Sequence, residues 1–218
     1  MQADFAIITI RHDEFAAVLQ RFPSKPHIGP SGRTYGICEV RAKTGNFCKV
    51  AIVRCSEQGN DLAQQIANDI IADLNPQMIL VVGIAGGVPH DDFTLGDVII
   101  STRIVNLNVS KRLEDGREEF DTKGGIHPKV SDITASLPLY QQALAGWNDP
   151  NAVTLPRPKV NLSHFETDKF RAQIANGHKN AAWYREVRTS LTAHFGKNGH
   201  RTRPPLFQTG TIASSNSV

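Results

Sequence analysis

The sequence has no long hydrophobic run, little sulfur, few indoles and no large excess of charge of either sign. No apolar stretch approaches the roughly 20 residues that a membrane-crossing helix needs. The start, Met1-Gln2-Ala3-Asp4, lacks the basic-then-apolar order of a secretory leader. A membrane partner is therefore not expected. The only cysteines, Cys38, Cys48 and Cys55, are odd in number, lie in strand-like apolar contexts and form no Cys-x-x-Cys. They read as buried free thiols in a reducing cytoplasm rather than as a disulfide frame or a zinc site.

His164, His178, His194 and His200 show no His-x-x-x-His or His-Glu-x-x-His spacing, and His90-Asp91-Asp92 reads as a solvated turn after Pro89. No metal and no cofactor are assigned. A net charge of +3 excludes the uniform basicity of a nucleic-acid coat, so a nucleic-acid partner is disfavoured. That small total hides an asymmetry. Arg157 to Arg203 holds ten Lys/Arg against three acidic residues, which is +7 there and −4 over the rest. A local basic segment on an acidic body points to a patch with a role of its own, in binding a substrate phosphate, a partner surface or a stretch of nucleic acid.

What is present centres on Met78 to Ser101, MILVVGIAGGVPHDDFTLGDVIIS. Met78 to Val82 is apolar without alternation, the pattern of a strand buried on both faces of an α/β sheet. It runs into Gly83-Ile84-Ala85-Gly86-Gly87, where missing Cβ atoms permit a sharp turn and close approach of a ligand to the main chain. In open α/β sheets the crevice at the carboxyl ends of the strands is where small molecules bind. A second apolar strand, Val98 to Ser101, follows the Leu95-Gly96-Asp97 turn.

Around this stretch, 218 residues suffice for one α/β core, and the chain reads as a single domain over 1–218. Asp4 to Ile10 predicts a strand and His12 or Asp13 starts a helix with Phe15, Val18, Leu19 and Phe22 on one face. Pro23 to Arg33 reads as a loop. Thr34 to Arg41 and Phe47 to Cys55 predict paired strands turning at Lys43 to Asn46. A helix over Asp61 to Leu74 carries Leu62, Ile66, Ile70 and Leu74 on one face and stops before Pro76.

Further on, Lys111 to Gly125 reads as a charged, mobile loop, and Pro128 to Trp147 as helix interrupted at Pro138. Asn148 to Pro158 reads as irregular, and Phe165 to Ala175 and Ala181 to Phe195 as helices. Together, about 111–204 forms a basic, largely helical insertion.

The Gly83 loop followed by Leu-Gly-Asp-Val-Ile-Ile-Ser resembles the nucleoside phosphorylase/nucleosidase superfamily, especially its methylthioadenosine/S-adenosylhomocysteine nucleosidases. The resemblance implies a three-layer α/β sandwich with a central mixed sheet. It implies a small-molecule nucleoside or nucleotide partner and a homo-oligomer. It makes Glu14 the carboxylate that positions and deprotonates an attacking water; by itself Glu14 is more readily a helix-start carboxylate with no chemistry, and the first-strand context and later motifs bring the two readings level. It places Ile84, Ala85 and Gly86 against the substrate, and Ser214, Asn216 and Val218 at the edge of the base pocket. Departures are Glu57 where the Ser56-to-Asn60 loop usually has glycine, Ile84 where serine is usual, and Ser215-Asn216 where Gly-Asp is usual.

The family's reaction needs a carboxylate on the sugar hydroxyls and an acid near purine N7. Relatives take these from Met-Glu and Ser-Asp motifs beyond the segment matching Leu206 to Val218, and no Met-Glu pair occurs here. The expectation is an N-terminal portion of a longer parent, with the C-terminal part of the fold missing and the 218-residue chain inactive alone. The function implied is cleavage of the N-glycosidic bond of a purine nucleoside or nucleotide. Hydrolysis is favoured over phosphorolysis, because Val81 and Ile84 stand where phosphorolytic relatives bind the anion. The alternative is a non-catalytic nucleoside- or nucleotide-sensing module.

Overall fold

The computed structural model describes residues 1–57, 59–86, 92–112, 118–125, 127–140, 181–196 and 205–214. The chain divides into two compact units. One comprises Met1–Ala85, Asn106–Asp121 and Ala213–Val218; the other comprises Gly86–Val105 and Thr122–Ile212.

The first unit opens with β1 (Phe5–Thr9) and α1 (His12–Arg21), then β2 (Lys25–Ile28), β3 (Thr34–Arg41), β4 (Phe47–Arg54), α2 (Asn60–Leu74) and β5 (Met78–Val81). The strands form one sheet of order β2-β3-β4-β1-β5. β1 runs parallel to both β4 and β5, while β2-β3 and β3-β4 are antiparallel, so the sheet is mixed. Alternation along the strands makes two faces. Ala6, Ile8, Ala51 and Val53 pack with Ile66, Ile70 and Leu74 of α2. Ile7, Val50 and Ile52 turn the other way and meet Phe15, Val18, Leu19 and Phe22 at α1. Helix, sheet and helix are thus three layers, as the family resemblance implied.

Helix boundaries have local causes. Gly59, before α2, sits at φ 146, a conformation that penalises a Cβ, and Asn75 closes α2 in the left-handed region. Where α2 ends, Asp73 is buried and accepts hydrogen bonds from the Tyr35 and Ser31 hydroxyls and the Ser31 N–H. Burial raises the Asp73 carboxyl, but these donors and the Arg33 charge outweigh it and hold it below its ordinary value. Tyr35, fully buried, is pushed up to about 12 by burial and by donating to that carboxylate.

Three sequence expectations need correction. Pro23 to Arg33 is not all loop: Lys25–Ile28 pairs with β3 at the sheet's outer edge, where the missing Pro26 N–H costs no ladder bond. β5 is not buried on both faces, since Leu80 is 40% exposed and Val81 64%. Among the described residues β5 is the other edge strand, with only β1 beside it, so its apolar run is covered from one side. The expected loop from Lys111 to Gly125 is largely strand: β6 runs Val98–Arg112 and β7 Glu118–Gly125, side by side in a second sheet. Cross-strand pairing overrides the weak propensity of a charged stretch.

That second sheet has the order β7-β6-β8, with β8 at Phe207–Ser214. In the second unit, Asp97 joins β6 to β8. Its Oδ2 accepts from the Thr94 N–H and Gln208 Nε2, and its Oδ1 from the Leu206 N–H. Gly96, at φ 85, makes the turn that presents Asp97. The unit also contains α3 (Pro128–Ala135), α4 (Leu137–Tyr140) and α5 (Ala181–Phe195), on which Leu191 and Phe195 are buried. Asn148 to Pro158, the helix expected at Phe165 to Ala175, and most of the basic segment lie outside the described residues.

Ile70 is fully buried, whereas its neighbour Ile71 is 52% exposed. Ile70→Ala is expected to lower unfolding stability by about 2–5 kcal/mol, and Ile71→Ala to change it by no more than about 0.5 kcal/mol. Urea unfolding of the two variants checks this, and equal losses would contradict the assigned face of α2.

Candidate active site

β1, β4 and β5 point the same way, with Thr9 opposite Arg54 and Ile8 opposite Val81. The turns that follow them, at Ile10, Cys55 and Val82, therefore leave from one end of the sheet. Glu14 stands there at the third position of α1, and only 8% of it is exposed.

The Glu14 carboxylate links two of these turns. Its Oε2 accepts from the Ile10 N–H at 3.1 Å and the Arg11 N–H at 2.8 Å, and its Oε1 accepts from the Ile84 N–H at 2.8 Å. The first two bonds satisfy donors that the start of a helix leaves open. The third crosses to the loop after β5. Gly83 leaves room for that crossing, since a Cβ there would stand a tight 3.1 Å from Glu14 Oε1. Burial pushes the Glu14 carboxyl up, yet the Arg11, Ile84 and Ile10 N–H groups prevail and hold it below the ordinary glutamate value. It is ionised at neutral pH.

An open cavity of about 500 Å³ lies at this end of the sheet, lined by residues 10–13 of the β1–α1 turn and by Arg54, Ser56 and Glu57. Arg11 forms a two-point pair with Asp13, at 2.9 and 2.8 Å, and this bond holds the Asp13 carboxyl down at about 2. Glu14 itself is not among the lining residues; it is behind the turn that forms one wall. Thr9 is fully buried beside Arg54, and its hydroxyl has no hydrogen-bond partner among the described residues.

The other residues singled out from the sequence separate into groups. Ile84 meets Glu14 through its backbone, while its side chain is 72% exposed. Ala85 is exposed at the end of the first unit, and Gly86, also exposed, begins the second. Ser214 donates to Asn60 Oδ1 at 2.7 Å, which joins the end of β8 to the first residue of α2 within the first unit. Asn216 and Val218 lie outside the described residues.

Arg11 and Arg54 do not stand out as site residues in the sequence. The signal for Arg54 was available: an arginine closing the apolar run Val50 to Val53 of β4. Among the described residues no group of three His, Cys, Asp or Glu side chains could hold a metal. No helix among them is long and apolar enough to cross a membrane.

A family model for the phosphorylase superfamily matches residues 4–196, and the chain belongs to that superfamily. No curated protein matches it significantly. Among solved structures it is similar to the S-adenosylhomocysteine nucleosidase of Streptococcus pyogenes in complex with 5-methylthiotubericidin. The two are 18% identical over 65% of this chain and 58% of that one, with a TM-score of 0.48. A futalosine hydrolase mutant of Helicobacter pylori is 13% identical over 100% of this chain and 70% of the other, at a TM-score of 0.45. A 5'-methylthioadenosine/S-adenosyl homocysteine nucleosidase of the same organism is 13% identical over 99% and 87%, at 0.49. The chain thus spans less than two thirds of the Streptococcus pyogenes protein.

Because the folded-state pKa of Glu14 is lowered, its contribution to stability is present above the ordinary glutamate value and is lost as pH falls through the folded value. Glu14→Gln cannot accept all three N–H groups, so it is expected to lose about 1–3 kcal/mol at neutral pH. The gap to the parent should close on acidification. Unfolding curves at neutral and acid pH measure both, and a gap that widens in acid would contradict the assigned bonds. Gly83→Ala, which crowds the carboxylate, should cost about 1–3 kcal/mol by the same measurement.

Proposed function

We propose that the chain carries the nucleophile-positioning half of an N-glycosidase that hydrolyses a purine nucleoside or nucleotide to free base and sugar. The observation that carries this reading is the Glu14 carboxylate, held ionised where the turns after β1 and β5 meet. A carboxylate offers about four lone-pair sites, and three are taken by backbone N–H groups. The remaining one is on Oε1, which accepts a single bond. A water on that site is the nucleophile.

As the bond between anomeric carbon and base nitrogen breaks, its electron pair leaves with the base and the sugar becomes oxocarbenium-like. The water oxygen bonds the anomeric carbon and its proton passes to Oε1 and on to solvent; the departing base takes up a proton from solvent and leaves neutral. The lowered pKa of Glu14 makes it a modest base, so its main work is to orient water and stabilise positive charge on the sugar. Proton transfer then falls late, once the attacking oxygen has become acidic. Phosphorolysis is disfavoured because Val81 and Ile84, which stand at the positions where phosphorolytic relatives bind the anion, carry no charge.

The second reading is a module that binds a nucleoside without cleaving it. It draws support from the same three N–H bonds, which give Glu14 a structural role sufficient to explain its presence. Turnover separates the two. In the intact protein Glu14→Gln should lower turnover by about 10²–10⁴, judged only on variant protein whose circular dichroism matches the parent. The sugar should appear free rather than 1-phosphorylated, and phosphate should leave the rate unchanged. The acid limb of kcat/KM should lie below the ordinary glutamate range. Full turnover in Glu14→Gln, or a sugar 1-phosphate product, would sink the hydrolytic mechanism; binding without cleavage would favour the module.

A further inference from the structure

The loop after β5 is held by very little. Val82 to Ala85 are exposed, Ile84 by 72%, so side-chain packing does not fix them. Among the described residues, the Ile84 N–H donating to Glu14 Oε1 at 2.8 Å is the only hydrogen bond made by Gly83, Ile84 or Ala85. Gly83, beside that bond, tolerates backbone conformations closed to other residues. The two carboxylate oxygens divide their work: Oε2 takes the Ile10 and Arg11 N–H groups and caps α1, while Oε1 takes Ile84 alone. The charged groups acting on the carboxylate are Asp13 and Arg11, which also pair with each other. His12 of α1 is exposed, Gly83 to Ala85 carry no charge, and Arg54 and Glu57 line the cavity from which Glu14 is set back.

We propose that the Glu14–Ile84 bond is a charge-dependent latch: the ionised carboxylate holds the glycine loop to the start of α1, and a proton on Oε1 releases it. Hydrogen bonds to an ionised acceptor are roughly twice as strong as those to a neutral one. A proton on the open site of Oε1 turns that oxygen into a hydroxyl, a poor acceptor. Oε2 then becomes the carbonyl oxygen and keeps both of its donors. The loop is freed while the cap of α1 stays in place. At rest Glu14 is ionised and the latch is closed. The latch rests on the bond geometry alone, and its timing rests on the hydrolytic reading above. In that reading the proton given up by the attacking water opens the loop once the bond to the base is broken, and its passage to solvent closes the loop again.

The test follows individual amides of the full chain by nuclear magnetic resonance. Glu14→Gln imitates the protonated state, with its carbonyl oxygen towards Ile10 and Arg11 and its NH₂ towards Ile84. At neutral pH the exchange protection of the Ile84 N–H should fall about ten- to a hundredfold in this variant, while the Ile10 and Arg11 N–H groups keep most of theirs. In the parent, the Ile84 amide shift should titrate with the same midpoint as the Glu14 carboxyl carbon. Ile84→Pro removes the donor and leaves Glu14 in place, so the carboxyl should then titrate at higher pH, nearer the ordinary glutamate value. Equal protection of Ile84 in folded Glu14→Gln would overturn the latch. So would a carboxyl midpoint unmoved in Ile84→Pro, or an Ile84 amide indifferent to the Glu14 titration. None of these readouts needs turnover. If they hold and no nucleoside is hydrolysed, the latch stands and the hydrolytic timing falls.

Discussion

The interaction on which the proposed site depends is the Glu14 carboxylate held by the N–H groups of Ile10, Arg11 and Ile84. A buried, ionised carboxylate is costly unless its charge is solvated by donors aimed at it. Here two donors come from the turn just before Glu14 and the third from Ile84, 70 residues beyond it in sequence. The bond to Ile84 ties the glycine loop after β5 to the start of α1, while the other two cap that helix. Structural role and proposed chemistry share one group, and the single acceptor site left on Oε1 is what a water could use.

The sheet makes that meeting possible. β1 lies between β4 and β5 and is parallel to both, so three turns leave at one end. α1 and α2 cover opposite faces, and each is anchored by alternate residues of the same strands. A one-residue slip in β4 would turn Arg54 from the α1 face to the α2 face. The packing of Val50 and Ile52 against α1 is therefore also what sets Arg54 into the cavity. Core and candidate site are coupled through strand register.

Much of this was legible in the sequence. The 3.6-residue spacing of Phe15, Val18, Leu19 and Phe22, and of Ile66, Ile70 and Leu74, is specific to helices with one buried face, and α1 and α2 appear where those patterns lie. The β3–β4 hairpin was legible from two strand-like runs flanking a short turn, in which Gly45 takes positive φ. The family resemblance singled out Glu14 and the Gly83 loop. Lys25–Ile28 was not legible, because a four-residue strand containing proline has no periodicity to read, and neither was the pairing of β6 with β7.

By itself the sequence determined the helix faces, the buried strands β1 and β4, the sharp turns at glycine and the presence of a carboxylate at the start of α1. These are local patterns whose causes, side-chain period and backbone freedom, lie within a few residues. The tertiary structure alone decided that β5 stands at an edge, that Asp97 joins β6 to β8, and that Ser214 meets Asn60. It alone brought Arg54 and Arg11 to one cavity and bonded the Ile84 N–H to Glu14. Each of these depends on which distant segment the fold brings alongside, and no window of sequence contains both partners.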